Sequence, residues 1–169
     1  VRIGLEEGAL LSCSDGYTDK NPIVFYGSSI TQGGCASRPG NSYQALISRR
    51  FNIDYFNFGF SGNALGEKTM ADYIAALPMS LFFLDFDHNS PNAEHLKAHH
   101  ESFFLNIREK NPDLPVIMAT KTDIPRSPAA EKSNAAHRAV VYETYENAVK
   151  RGDRNVIFID GATVFSKAL

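Results

Sequence analysis

Leu81-Phe82-Phe83-Leu84 is an unbroken apolar run. A run without polar alternation suits a central strand covered on both faces. It asks for layers above and below a sheet, and the rest of the chain supplies them. Residues 23–26, 54–60, 116–120 and 155–159 read as four further strands. Longer stretches of helical period lie between these runs. Tyr43, Leu46, Ile47 and Phe51 fall at helical spacing behind Pro39-Gly40-Asn41, and Met70, Tyr73, Ile74 and Leu77 form a second stripe closed by Pro78. Ser90-Pro91-Asn92 opens a long helix with Leu96, His100, Phe103, Phe104 and Ile107 on one side, and Asn111-Pro112 ends it. Ser127-Pro128 reads as a cap with proline in the first turn, ahead of an inward face of Val141, Tyr145, Ala148 and Val149. Strands alternating with helices predict an α/β protein: a three-layer α/β/α sandwich around a five-stranded parallel sheet with right-handed crossovers. A flavodoxin-like strand order is the preferred arrangement.

At 169 residues the chain suits one domain. Residues 21–169 are expected to form it. Residues 1–20 read as a lead-in, where weak alternation over 1–11 fits an edge strand or the remnant of a preceding β module. The chain begins with Val1, and Leu169 follows closely on the last apolar run, so one domain of a longer product, or a trimmed version of it, is expected. A net charge of -2 and a pI near 6.2 argue against a nucleic-acid partner. No apolar run approaches the roughly 18 residues of a membrane helix, so no membrane partner is expected. Two cysteines, Cys13 and Cys35, give neither a disulfide framework nor a zinc cluster.

In open parallel sheets ligands bind at the carboxyl ends of the strands. Three loops are expected there: Gly27-Ser28-Ser29-Ile30-Thr31, Gly59-Phe60-Ser61-Gly62-Asn63 and Asp85-Phe86-Asp87-His88-Asn89. They offer a serine in a glycine loop, a Ser-Gly turn and an asparagine. Acyl transfer needs such a set: a nucleophile, and donors aimed at the developing oxyanion. On local pattern alone Ser29 could equally cap the next segment, Gly62 could be a plain turn glycine, and Asn89 could cap the helix after the third strand. Ser61 fails the Gly-x-Ser-x-Gly pattern because Asn63 holds its last position.

These blocks, spread over residues 23–160, resemble the SGNH hydrolase family, also called GDSL hydrolases. The resemblance puts Ser29 at the nucleophile position, the Gly62 N–H and the Asn89 amide in the oxyanion hole, and the Ser29 N–H beside them. It implies a serine ester hydrolase that works through an acyl-enzyme without metal or organic cofactor. Small esters are its implied substrates, among them O-acetyl groups of carbohydrates, and a secreted or periplasmic location goes with that reading. Two departures stand out. Ser28 replaces the aspartate usual before the nucleophile. The family's last block, Asp-x-x-His, is missing, because no histidine follows His137; without a base a serine hydroxyl is a poor nucleophile. The alternative is therefore a non-catalytic acyl- or carbohydrate-binding module. A nucleotide or flavin binder fits less well, since Gly27, Gly33 and Gly34 match no phosphate-cradling motif.

Ser28 and His88 are expected to line the pocket, although His88 fits a solvent-facing loop as well. His95 and His99, four apart on a helix, could chelate a metal but suit a surface face better. His137 reads as structural. Asp85 and Asp87 suit hydrogen bonding at the sheet edge more than cation binding. Arg38, Lys121 and Asp123 could touch substrate, and Cys35 is at most a pocket residue.

Overall fold

The computed structural model describes residues 2, 4–13, 15–122 and 127–164. Asp123 lies outside these. The sheet contains β1 (Ile23–Gly27), β2 (Tyr55–Gly59), β3 (Leu81–Asp85), β4 (Val116–Ala119) and β5 (Val156–Ile159), in the order β2-β1-β3-β4-β5. Every pairing is parallel. This is the flavodoxin-like order, and each strand coincides with one of the apolar runs. The helices are α1 (Ser29–Gln32), α2 (Tyr43–Phe51), α3 (Lys68–Ala75), α4 (Ala93–Lys110) and α5 (Pro128–Lys150).

Side chains alternate across a strand, so each strand feeds two layers. Val24, Tyr26, Phe82, Leu84, Val116 and Met118 meet Ile74 of α3, Leu96, Phe103, Phe104 and Ile107 of α4, and Val141 of α5 in one core. Phe25 and Phe83 point the other way, where Tyr43 of α2 packs on both, with ring centroids 5.6 and 6.0 Å apart. All five residues expected on the inner side of α4 are buried. Asn92 caps that helix through His95 N, and Ser127 caps α5 through Ala130 N.

Some helix faces differ from the expected ones. Leu46 and Phe51 of α2 are exposed, because this helix turns Gln44, Ala45 and Ser48 inward instead. Gln44 is needed there for a hydrogen bond described below. Val149 is likewise exposed. No strand occurs among the described residues of 1–20; Thr18 N and the Gly16 carbonyl are tied instead to Asn52, the left-handed residue that ends α2.

His100 gives the core a pH-sensitive element. It is 1% exposed, stacks on Phe86 at 5.5 Å and shares a 2.9 Å hydrogen bond between Nδ1 and Thr144 Oγ1. Burial lowers its pKa from 6.5 to about 3. Between those values the unfolded chain binds a proton that the folded one refuses. Its contribution is therefore complete above about pH 6.5 and is lost as the pH falls toward 3, at up to about 1.4 kcal/mol per unit. His100→Gln is expected to flatten this part of the stability profile in urea unfolding. Parallel profiles for parent and variant would remove His100 from that role.

Candidate active site

Two glycines let the sheet edge come close to α1. A Cβ on Gly27 would collide with Thr31 Oγ1 and the Asp85 carbonyl, and one on Gly59 with the backbone of Gln32. The chain can thus turn tightly off β1 and lay α1 across the ends of β1 and β2. Ser28 caps the turn, its Oγ accepting from Ile30 N at 3.2 Å. Ser28 is fully buried, so it belongs to the turn and has no surface to offer a substrate. Ser29 is the first residue of α1 and half-buried, not its cap.

Thr31 anchors this turn. Its Oγ1 donates to Asp85 Oδ2 at 3.2 Å and accepts from Tyr43 OH at 3.3 Å. Its carbonyl, at the end of so short a helix, has no partner one turn on. Gln44 Nε2 and Asn57 Nδ2 donate to it instead, at 2.6 and 2.9 Å. Burial, then the neighbouring Asp87, raises the Asp85 carboxyl well above the ordinary range, and burial with Asp85 nearby pushes up the Tyr43 phenol.

The second loop folds back on itself, with Asn63 N and Ala64 N both donating to the Phe60 carbonyl. Gly62 sits exposed at φ +70°, a conformation that glycine adopts readily. Ser61 N donates to Gln32 Oε1 at 3.0 Å, which ties this loop to α1. The third loop is a 3-10 turn at Asp87–Asn89. Asp87 is buried, and its Oδ2 accepts from Lys121 N at 3.0 Å; burial raises its carboxyl too. Asn89 Nδ2 donates to the Phe60 carbonyl at 2.7 Å, joining the third loop to the second. Asn92, not Asn89, caps the helix that follows.

The loops of Ser29, Gly62 and Asn89 thus form one hydrogen-bonded cluster. Within the described residues no hydrogen bond engages the backbone N–H of Ser29 or Gly62. His88 is half-buried beside Asn89. A cavity of about 250 Å³ adjoins α1, lined by Ile30, Tyr43, Asp85, Lys121 and Val164 among others. Cys35 and Arg38 are exposed and do not line it. His95 and His99 stack on each other at 4.2 Å, and His137 is buried with its ring nitrogens against the Ser133 and Ser90 carbonyls. None of His95, His99, His100 and His137 is hydrogen-bonded to Ser29. The sequence reading overlooked Thr31, Gln32, Gln44 and Asn57. The glycines at the two strand ends were the available hint that something packs tightly there.

The serine turn, the glycine loop and the asparagine loop are thus linked at the carboxyl edge of a parallel α/β sandwich. A family model of GDSL-like lipases and acylhydrolases matches residues 20–168. The chain belongs to this family. Among solved structures it is similar to a GDSL-like lipase of Bacteroides ovatus, at 31% identity and a TM-score of 0.73 over 83% of this chain and 42% of that one. The salicylyl-acyltransferase of a tetracycline biosynthetic pathway follows at 26% identity and 0.78, over 90% and 46%. A family two carbohydrate esterase from Clostridium thermocellum, at 16% identity and a TM-score of 0.63 over 90% and 56%, shares the fold. The chain thus spans less than half the length of the first two. No curated protein matches it.

Proposed function

We propose that the whole protein is a serine ester hydrolase acting through an acyl-enzyme on small esters, including O-acetyl groups of carbohydrates. Ser29 Oγ attacks the ester carbonyl. The N–H groups of Ser29 and Gly62 and one N–H of the Asn89 amide receive the oxyanion. The observation that carries this reading is the 2.7 Å hydrogen bond from Asn89 Nδ2 to the Phe60 carbonyl. An amide nitrogen has two hydrogens; engaging one fixes the plane of the amide and leaves the other as a donor of defined direction. The resemblance assigns the proton transfer to a histidine of an Asp-x-x-His block, which these residues do not include. The carbohydrate esterase among the fold neighbours supports the substrate class by analogy only.

The test is covalent. The whole protein is expected to hydrolyse p-nitrophenyl acetate and to lose that activity on labelling by a fluorophosphonate, with the label on the Ser29 peptide by mass spectrometry. A label on Ser28 or Ser61, or undiminished hydrolysis after complete labelling, would overturn the assignment. Binding of acetylated oligosaccharides without labelling or turnover would make the pocket a binding site instead.

A further inference from the structure

We infer that Gln32 is a positioning residue of the oxyanion hole. The inference rests on the Ser29 and Gly62 roles proposed above. Two of the donors assigned there are backbone N–H groups on separate loops, one at the start of α1 and one at a left-handed glycine after β2. The backbone ties the two loops at their bases, where Phe60 N donates to the Gly27 carbonyl at 2.9 Å, and beyond that point the second loop bonds only to itself through Asn63 N and Ala64 N among the described backbone bonds. Gly62 stands at the tip of an exposed loop, where an added Cβ would meet nothing within 4 Å, so packing does not restrain it. The Phe60-Ser61 peptide, one residue back, is restrained by a side chain from α1: Gln32 Oε1 accepts from Ser61 N at 3.0 Å.

Gln32 is well placed to set that separation. It lies three residues after Ser29, in the same single turn. That turn is itself held by four side chains, Asp85, Tyr43, Gln44 and Asn57, acting on Thr31 next to Gln32. Rigidity therefore passes from the sheet to Thr31, from Thr31 to the Gln32 backbone, and through one side-chain carbonyl to the Phe60-Ser61 peptide, the one before the peptide that carries the Gly62 N–H. The Asn89 amide reaches the same loop from the other side, at the Phe60 carbonyl. One peptide group, Phe60-Ser61, is thus clamped on both sides by amide side chains, its N–H by Gln32 and its carbonyl by Asn89. Gln32 does not touch the reacting atoms, and its effect works through the position of the Gly62 N–H. A misplacement of about 1 Å of a catalytic group can cost on the order of 100-fold in rate.

The experiment uses the whole protein and compares Gln32→Met, which keeps the length and loses the acceptor, with Gln32→Ala and Gln32→Glu. Gln32 is exposed, so none of the three is expected to unfold the protein. Met and Ala should lower kcat on p-nitrophenyl acetate by roughly 10- to 100-fold at unchanged KM and Tm. Glu keeps an acceptor for Ser61 N and should retain more kcat than either. Unchanged kcat in the Met variant, with Ser29→Ala inactive, would overturn the role of Gln32 and leave the site standing. A loss of Tm that accounts for the loss of activity would reduce Gln32 to a structural residue and also overturn it. Activity surviving in Ser29→Ala would fail the site reading itself, whatever Gln32 does.

Discussion

Ser29→Ala is expected to lower kcat of the whole protein by about 10,000-fold or more, the scale seen when a serine nucleophile is removed. The residual rate would come from the oxyanion donors and substrate binding, which the variant retains. The neighbouring residue supplies the contrast. Ser28 is fully buried and caps α1 through Ile30 N, so Ser28→Ala should act on stability, by about 1 kcal/mol, the cost of a lost N-cap. Its kcat should fall only as far as the turn loosens. Steady-state kinetics and urea unfolding on both variants separate the two serines. If Ser28→Ala loses the chemistry and Ser29→Ala keeps it, the nucleophile has been assigned to the wrong hydroxyl. If neither loses it, the enzyme does not use this turn.

The two serines also show what could be read from the chain. The fold was legible because its signals are local and periodic. The Leu81–Leu84 run suited a central strand and lies in β3, and Leu96, His100, Phe103, Phe104 and Ile107 recur at helical spacing and are all buried. In α2 the same rule misled: Leu46 and Phe51 keep the period yet face solvent, while Gln44 is buried to reach the Thr31 carbonyl. A polar contact across 13 positions overrides a hydropathy pattern and leaves no trace in it. The site divides in the same way. Ser29, Gly62 and Asn89 came from short motifs at predicted strand ends, and their loops are joined by hydrogen bonds. The residues that join them, Thr31, Gln32, Gln44 and Asn57, act through single bonds to distant parts of the chain, and no spacing announces such bonds.

Asn89→Ala tests whether that joining matters to the reaction. The side chain has two tasks in the proposed mechanism: one N–H holds the Phe60 carbonyl at 2.7 Å and the other receives the oxyanion. Alanine removes both. Loss of one oxyanion donor costs about 2.7–4 kcal/mol in transition-state stabilisation, or roughly 100- to 1,000-fold in kcat. The structural task adds a modest stability loss of about 1 kcal/mol, the net worth of an ordinary hydrogen bond. The Phe60 carbonyl keeps Asn63 N and Ala64 N as donors, so the loop is not left with a buried, unpaired acceptor. The rate effect should therefore exceed the stability effect clearly, with KM little changed, because an oxyanion donor binds the transition state more strongly than the ground state. Asn89→Asp sharpens the test, since a carboxylate of nearly the same shape has no N–H for the oxyanion and repels it. It should be at least as slow as alanine. An aspartate variant with kcat near that of the parent would mean that the Asn89 amide donates nothing to the reacting oxygen, leaving Ser29 N–H and Gly62 N–H as the only donors of the set.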